Sequence, residues 1–222
     1  MAPPHFARAV AWGLYGGRMR DAIHALKYGR VLSLADPLGE RLANAIARLA
    51  PDSPAEWLVV PVPLYRRKQQ ERGFNQARML AEKALGVLRR THPEWKLTLE
   101  PELLRRKRPT TSQAGLTPRG RRLNMRGAFA VPEPEAVAGR DVLLIDDILT
   151  TGATARSAAA ALMHAGAGQV YVATLARALR ALPARGESDA VSWNAPEGVP
   201  AVPPQFHTSL YSQHVSGSLP SL

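Results

Sequence analysis

The sequence predicts an α/β domain built on a mostly parallel sheet flanked by helices. Three observations carry this. Trp57 to Val62 and Val142 to Ile145 are short, uninterrupted apolar runs, the pattern of strands buried on both faces. Other segments repeat apolar residues every three or four positions, as helices with one buried face do. Between residues 142 and 175 the order is strand, helix, strand, a unit that favours parallel pairing.

Residues 1–17 are weakly patterned. Met19, Ala22, Ile23 and Leu26 suit a short helix from Arg18 to Tyr28, with Gly29 as its stop. Leu38, Leu42, Ile46 and Leu49 suit a second helix from about Asp36 to Ala50, with Pro37 in its first turn. Pro51-Asp52-Ser53-Pro54 breaks the chain. The strand at 57–62 keeps Pro61 and Pro63 at its end, where they cost least. Arg66, Arg67 and Lys68 read as a basic loop. Phe74, Ala77, Ala81, Leu85 and Leu88 share a face of a helix over roughly Asn75 to Arg90. Leu97 to Leu104 reads as a strand. Residues 105–125 have no period and read as a long mobile loop, a length that in compact domains is often functional. Arg126 to Val131, Val142 to Ile145 and Gln169 to Leu175 read as strands, with an alanine-rich helix from Ala153 to Ala165 ended by Gly166. Beyond about Leu182 the chain is rich in Pro, Gly and Ser and reads as a disordered tail.

Composition narrows the class. The 222 residues are 45% apolar and 21% charged, which excludes wholesale disorder. The chain has no cysteine, so a disulfide framework, a thiolate metal site and a cysteine nucleophile are excluded. No apolar run approaches the ~20 residues of a membrane span. The expectation is a soluble cytoplasmic protein without membrane insertion. The net charge is +11, and the stretch from Arg66 to Arg126 alone holds 17 basic and 5 acidic residues. Such a field attracts polyanions. Arg outnumbers Lys 24 to 5, a bias that a GC-rich genome also produces.

The informative segment is Val142-Leu-Leu-Ile-Asp146-Asp147-Ile-Leu-Thr150-Thr151-Gly152-Ala153-Thr154. A buried strand ends on two carboxylates, and a turn of small hydroxyl residues and glycine opens a helix. In open α/β sheets ligands bind outside the carboxyl ends of strands. A helix start offers backbone N–H groups and partial positive charge, which suit phosphate. Gly152 allows close backbone approach, and the threonines add donors without bulk. Carboxylates suit neighbouring sugar hydroxyls or a magnesium ion. The parts fit a ribose phosphate lying across the strand end. Walker A and dinucleotide fingerprints are absent.

This segment resembles the 5-phosphoribosyl-1-pyrophosphate (PRPP) signature of type I phosphoribosyltransferases. Val60-Pro-Val-Pro-Leu64, Glu71-Arg-Gly-Phe-Asn75-Gln-Ala77, Ala25-Leu-Lys-Tyr28 and the pattern Arg105, Arg106, Thr110, Gln113, Leu116, Arg119, Arg122, Asn124 resemble the ComF group of that superfamily, over roughly residues 15–176. The resemblance implies a type I phosphoribosyltransferase-like fold. It would comprise a small N-terminal helical hood (1–54) and a core (55–182) with its flexible loop at 105–125; the disordered tail expected over 183–222 has no counterpart in the family pattern. It implies that Asp146 and Asp147 hold the ribose hydroxyls, and magnesium through PRPP, and that Thr150, Thr151, Gly152, Ala153 and Thr154 hold the 5-phosphate. Val62, Pro63, Leu64, Arg66, Arg67 and Lys68 would meet the pyrophosphate, on a loop that in this superfamily often carries a cis peptide. Arg106, Gln113, Arg122 and Asn124 would come from the closing loop. Many relatives begin with a four-cysteine zinc module; without cysteine, no zinc is expected here.

Three functions stay open at this stage. One is phosphoribosyl transfer from magnesium PRPP to an unidentified acceptor. Another is a single-stranded-DNA-binding factor of competence and DNA uptake on the same scaffold. The third is a PRPP-sensing regulator. Dimers are common among relatives, so a homodimer is an expectation. Asn75 and Gln76 serve either as a helix start or as ligand contacts. Lys27 and Tyr28 serve either as a hood over an acceptor or as helix-end packing.

Overall fold

A computed structural model of the chain describes residues 5–49, 56–107 and 127–178. Its strands are β1 (Arg8–Leu14), β2 (Glu56–Pro61), β3 (Lys96–Leu99), β4 (Arg105–Arg106), β5 (Phe129–Ala130), β6 (Val142–Leu149) and β7 (Val170–Arg177). Its α-helices are α1 (Gly17–Lys27), α2 (Ala35–Ile46), α3 (Arg66–Arg72), α4 (Gln76–Thr91) and α5 (Ala153–His164). Five strands form one parallel sheet in the order β1-β7-β6-β2-β3. β4 and β5 form a separate antiparallel pair. This is an α/β fold with a helix-flanked parallel sheet, in keeping with a type I phosphoribosyltransferase-like arrangement.

The pleat explains the layers. Successive side chains on a strand face opposite ways. Trp57, Val59, Leu143, Ile145, Ala173 and Leu175 join one core with α1, α2 and α4. Leu58, Val60, Val142, Leu144, Val170 and Val172 join a second core with α5 and Phe129 of β5. Both faces are dry along Trp57–Val60 of β2 and Val142–Ile145 of β6, which is why these runs are continuously apolar rather than alternating.

The order of strands creates a crevice. From β2 the chain moves outward to β3 at one edge; from β6 it moves outward to β7 on the other side. The connections therefore diverge between β2 and β6. Such a switch point leaves room for a ligand at the carboxyl ends of its two strands.

Several sequence expectations are corrected. Residues 8–14, which lack a clear pattern, form the edge strand β1, paired from Arg8 opposite Tyr171 to Leu14 opposite Arg177. As an edge strand it is only half-buried, so its apolar signal is weak. Helix α2 packs on α4, β7 and β1. Arg66–Arg72 is a helix, not a basic loop, and Gly73 ends it at φ +80°. The strand expected over 97–104 stops at Leu99, and the one over 126–131 shrinks to Phe129–Ala130. Arg105 and Arg106 are paired with those two residues, so the segment at 105–125 starts in an ordered hairpin. The tail at 183–222 lies outside the described residues. Among the described residues, no helix is long and apolar enough to cross a membrane.

Close contact between α2 and α4 supports this frame. A Cβ placed on Gly39 lies 2.3 Å from Lys83 Cβ and 3.2 Å from the Ala84 nitrogen. Gly39→Val is expected to lower stability by about 1–3 kcal/mol through overpacking, seen as a thermal midpoint several degrees lower. An unchanged midpoint would mean that the two helices have room to separate.

Candidate functional site

The carboxyl ends of β2 and β6 gather the candidate residues. β6 runs on through Leu149, so Asp146 and Asp147 lie within the strand rather than after it. The pleat sends their side chains to opposite faces. Asp147 follows Leu143 and Ile145 onto the α1–α4 face, where it is buried. There its carboxylate forms an ion pair with the Lys27 ammonium at the end of α1. It also accepts from Gln76 Nε2 on α4 at 3.5 Å. Asp146 follows Leu144 toward the other face, where the positive charge of Arg106 on β4 bears on it. Asp146 Oδ1 accepts the Asp147 backbone N–H at 2.9 Å.

Two groups of like charge meet here. Burial first, and then the Asp147 carboxylate, push Asp146 up to about 7; Lys27 and the Asp147 amide pull it down. On the cationic side, burial and then Arg106, Arg72 and Lys27 hold the Lys68 ammonium below its usual range, while Glu71 opposes them. Burial also lowers Arg106, and Asp146 partly offsets this. Lys27, Lys68, Arg72 and Arg106 thus crowd one another beside a crowded acid pair. A ligand with anionic and hydroxyl parts relieves both.

Two turns frame the crevice. After β2, the Val62 N–H still donates to the Ile145 carbonyl at 2.8 Å, and Pro63 and Leu64 follow half-buried. No cis peptide occurs among the described residues, so the cis bond expected near Val62 is absent. Asn75 holds this turn: its Nδ2 donates to the Val62 carbonyl at 3.1 Å, while its Oδ1 caps α4 by accepting from Ala77 and Arg78. After β6, Thr150 and Thr151 lead into Gly152 at φ +71°, a conformation that suits glycine. The Thr151 hydroxyl accepts the Ala153 N–H at 3.4 Å. The first turn of α5 carries no acidic side chain, so its N-terminal end keeps its attraction for anions.

The placement of each sequence candidate follows. Asp146, Asp147, Thr150, Thr151, Gly152, Ala153 and Thr154 share the end of β6 and the start of α5. Val62, Pro63 and Leu64 lie on the neighbouring turn, and Arg66, Arg67 and Lys68 form the first turn of α3. Arg106 stacks its guanidinium over Phe129, 5.6 Å from the ring centre, and the Asp146 charge favours its charged form. Gln113, Arg122 and Asn124 lie outside the described residues. Lys27 and Gln76 were undervalued by sequence reasoning. Both sit on apolar helix stripes, Lys27 four residues after Ile23 and Gln76 four before Leu80, and a polar residue in such a stripe is the signal.

The donor set fits magnesium only with help. Among the described residues no group of three or more His, Cys, Asp or Glu side chains is placed to hold a metal. Two carboxylates suit an ion that keeps water and ligand phosphate in its shell.

A parallel sheet with an acid pair and a glycine turn at its switch point defines an α/β domain with a candidate ligand site at the strand ends. No family model matches the chain. Its sequence is 33% identical to the DNA utilization protein YhgH of Escherichia coli (strain K12) over 179 residues, 80% of this chain and 75% of that protein. It is 34% identical to Competence protein F of Haemophilus influenzae over 121 residues, 54% and 50% of the two chains. It is 29% identical to Competence protein ComFC of Bacillus subtilis over 164 residues, 73% and 61%. The chain belongs to the ComF family.

The raised Asp146 pKa has a consequence for stability. Between about pH 4 and 7 the folded chain holds a proton on this group that the unfolded chain releases, so this group's contribution falls as pH rises and then levels off. Asp146→Asn is expected to remove that decline and to melt above the parent at pH 8. Parallel melting curves from pH 5 to 8 for the two proteins would show Asp146 ionising freely.

Proposed function

We propose that this chain binds magnesium PRPP at the carboxyl ends of β2 and β6 and transfers its phosphoribosyl group to an acceptor, with release of pyrophosphate. The observation that carries the reading is the acid pair Asp146–Asp147 set between the Gly152 turn and the cations Lys27, Lys68 and Arg106. The carboxylates accept from ribose hydroxyls. The Thr150–Thr154 turn and the start of α5 receive the 5-phosphate. Asp146 and Asp147 would hold magnesium indirectly, through PRPP, and the ion would neutralise charge on the ligand's phosphates. Lys68 and Arg106 stabilise the negative charge that collects on pyrophosphate as the C1–oxygen bond breaks and its electron pair leaves. The acceptor's lone pair forms the new bond at C1, and its proton passes to solvent.

The test is a thermal melt of the full chain with magnesium PRPP, with ribose 5-phosphate and pyrophosphate as separate arms. A ligand at ~100 times its dissociation constant stabilises by about 2.7 kcal/mol, a shift of several degrees. Asp146→Asn with Asp147→Asn is expected to weaken PRPP binding at least about tenfold while the fold survives, since charge-assisted hydrogen bonds contribute roughly 1.5–3 kcal/mol each. A shift unchanged by the double replacement would make the pair structural. Binding without pyrophosphate release on any acceptor would favour a PRPP-sensing regulator.

A second reading has its own support. The relatives are named for DNA utilization and competence, and the 66–126 stretch carries +12. On this reading the cationic face takes single-stranded DNA. Affinity for an oligonucleotide is then expected to fall steeply between 50 and 200 mM salt as counterion release weakens. Salt-independent or absent binding removes it.

A further inference from the structure

Two amides stand side by side at the start of α4, and the fold uses them differently. Asn75 commits both ends of its side chain to Val62, Ala77 and Arg78. Gln76 does not. It is 6% exposed, and its Nε2 donates to Asp147, yet its amide oxygen is buried and accepts no hydrogen bond from the described residues. A buried acceptor without a donor is costly. Turning the amide over would set its oxygen against the Asp147 carboxylate, so charge fixes the orientation. The Lys27 ammonium is engaged by the same carboxylate.

We propose that Gln76 is a ligand-binding residue whose amide oxygen accepts a hydrogen bond from a hydroxyl of a sugar bound against Asp147. This rests on the ribose-phosphate reading above. A carboxylate beside a neutral amide acceptor matches a ligand with two adjacent donors. Neighbouring ribose hydroxyls are such donors: one reaches Asp147, the next Gln76. The Lys27 ammonium covers the same carboxylate, so the sugar takes over part of the place that Lys27 holds.

The experiment is calorimetric titration of the full chain, with magnesium, against ribose 5-phosphate, 2-deoxyribose 5-phosphate and 3-deoxyribose 5-phosphate. The parent is expected to prefer ribose 5-phosphate over both deoxy sugars. Gln76→Met keeps the side-chain length but removes donor and acceptor. In it the preference over one deoxy sugar is expected to drop roughly three- to tenfold, while the preference over the other persists. A uniform loss for all three sugars, with both preferences intact, would overturn the proposal and leave Gln76 as a support for Asp147. Should Gln76→Met fail to fold, Gln76→Asn withdraws the oxygen by one methylene and is read the same way. If the parent itself binds neither these sugars nor PRPP, the ribose-phosphate reading fails and this proposal with it, a result visible without any variant.

Discussion

Two neighbouring carboxylates in one strand must point to opposite faces of the sheet, and much of the architecture answers that constraint. Asp147 lies on the α1–α4 face and Asp146 toward the α5 face, and Lys27 favours the charged form of both. On the first face the counter-charge arrives from the end of α1, as Lys27. On the second, Asp146 favours the charged form of Arg106, which comes from the β4–β5 pair. The hairpin lies outside the main sheet yet packs Leu103, Leu104 and Phe129 into the second core, which anchors it. Burial strengthens these charge interactions, because the surroundings screen them less than water does.

The crevice itself follows from topology. Parallel strands need crossovers, and where successive crossovers leave in opposite directions a gap opens above the sheet. The structure fills its rim from both sides. Asn75 fastens the β2 turn to α4, and Gly152 turns the chain sharply into α5. Arg72 closes the outer wall by donating to the Tyr28 hydroxyl at 3.4 Å and lying 5.1 Å above its ring. The end of α1 and the end of α3 are joined at the mouth through that pair.

Much of this was legible in the residues. The buried strands, helices α1, α2, α4 and α5, and the order that makes the sheet parallel followed from apolar runs and periods. The acid pair and its turn were legible because thirteen residues in a fixed order are specific. β1 was not legible: an edge strand has one half-wet face and no run to announce it. Nor was α3, because Arg66–Arg72 holds no apolar residue and its helix depends on neighbours. Lys27 and Gln76 were visible only as polar interruptions of apolar stripes. Their partner, Asp147, is 71 residues from Gln76 along the chain, a distance that no local pattern spans.

The pairing of β1 with β7 joins segments some 160 residues apart. During synthesis at ~5–20 residues per second, β1 therefore waits roughly 8–30 s for its partner strand to be made. In that interval its backbone donors and acceptors lack the partners that β7 later supplies. The sheet is zipped shut at its β1 edge only when one of the last described elements emerges. The β1 edge of the sheet thus depends on a contact that the order of synthesis delays.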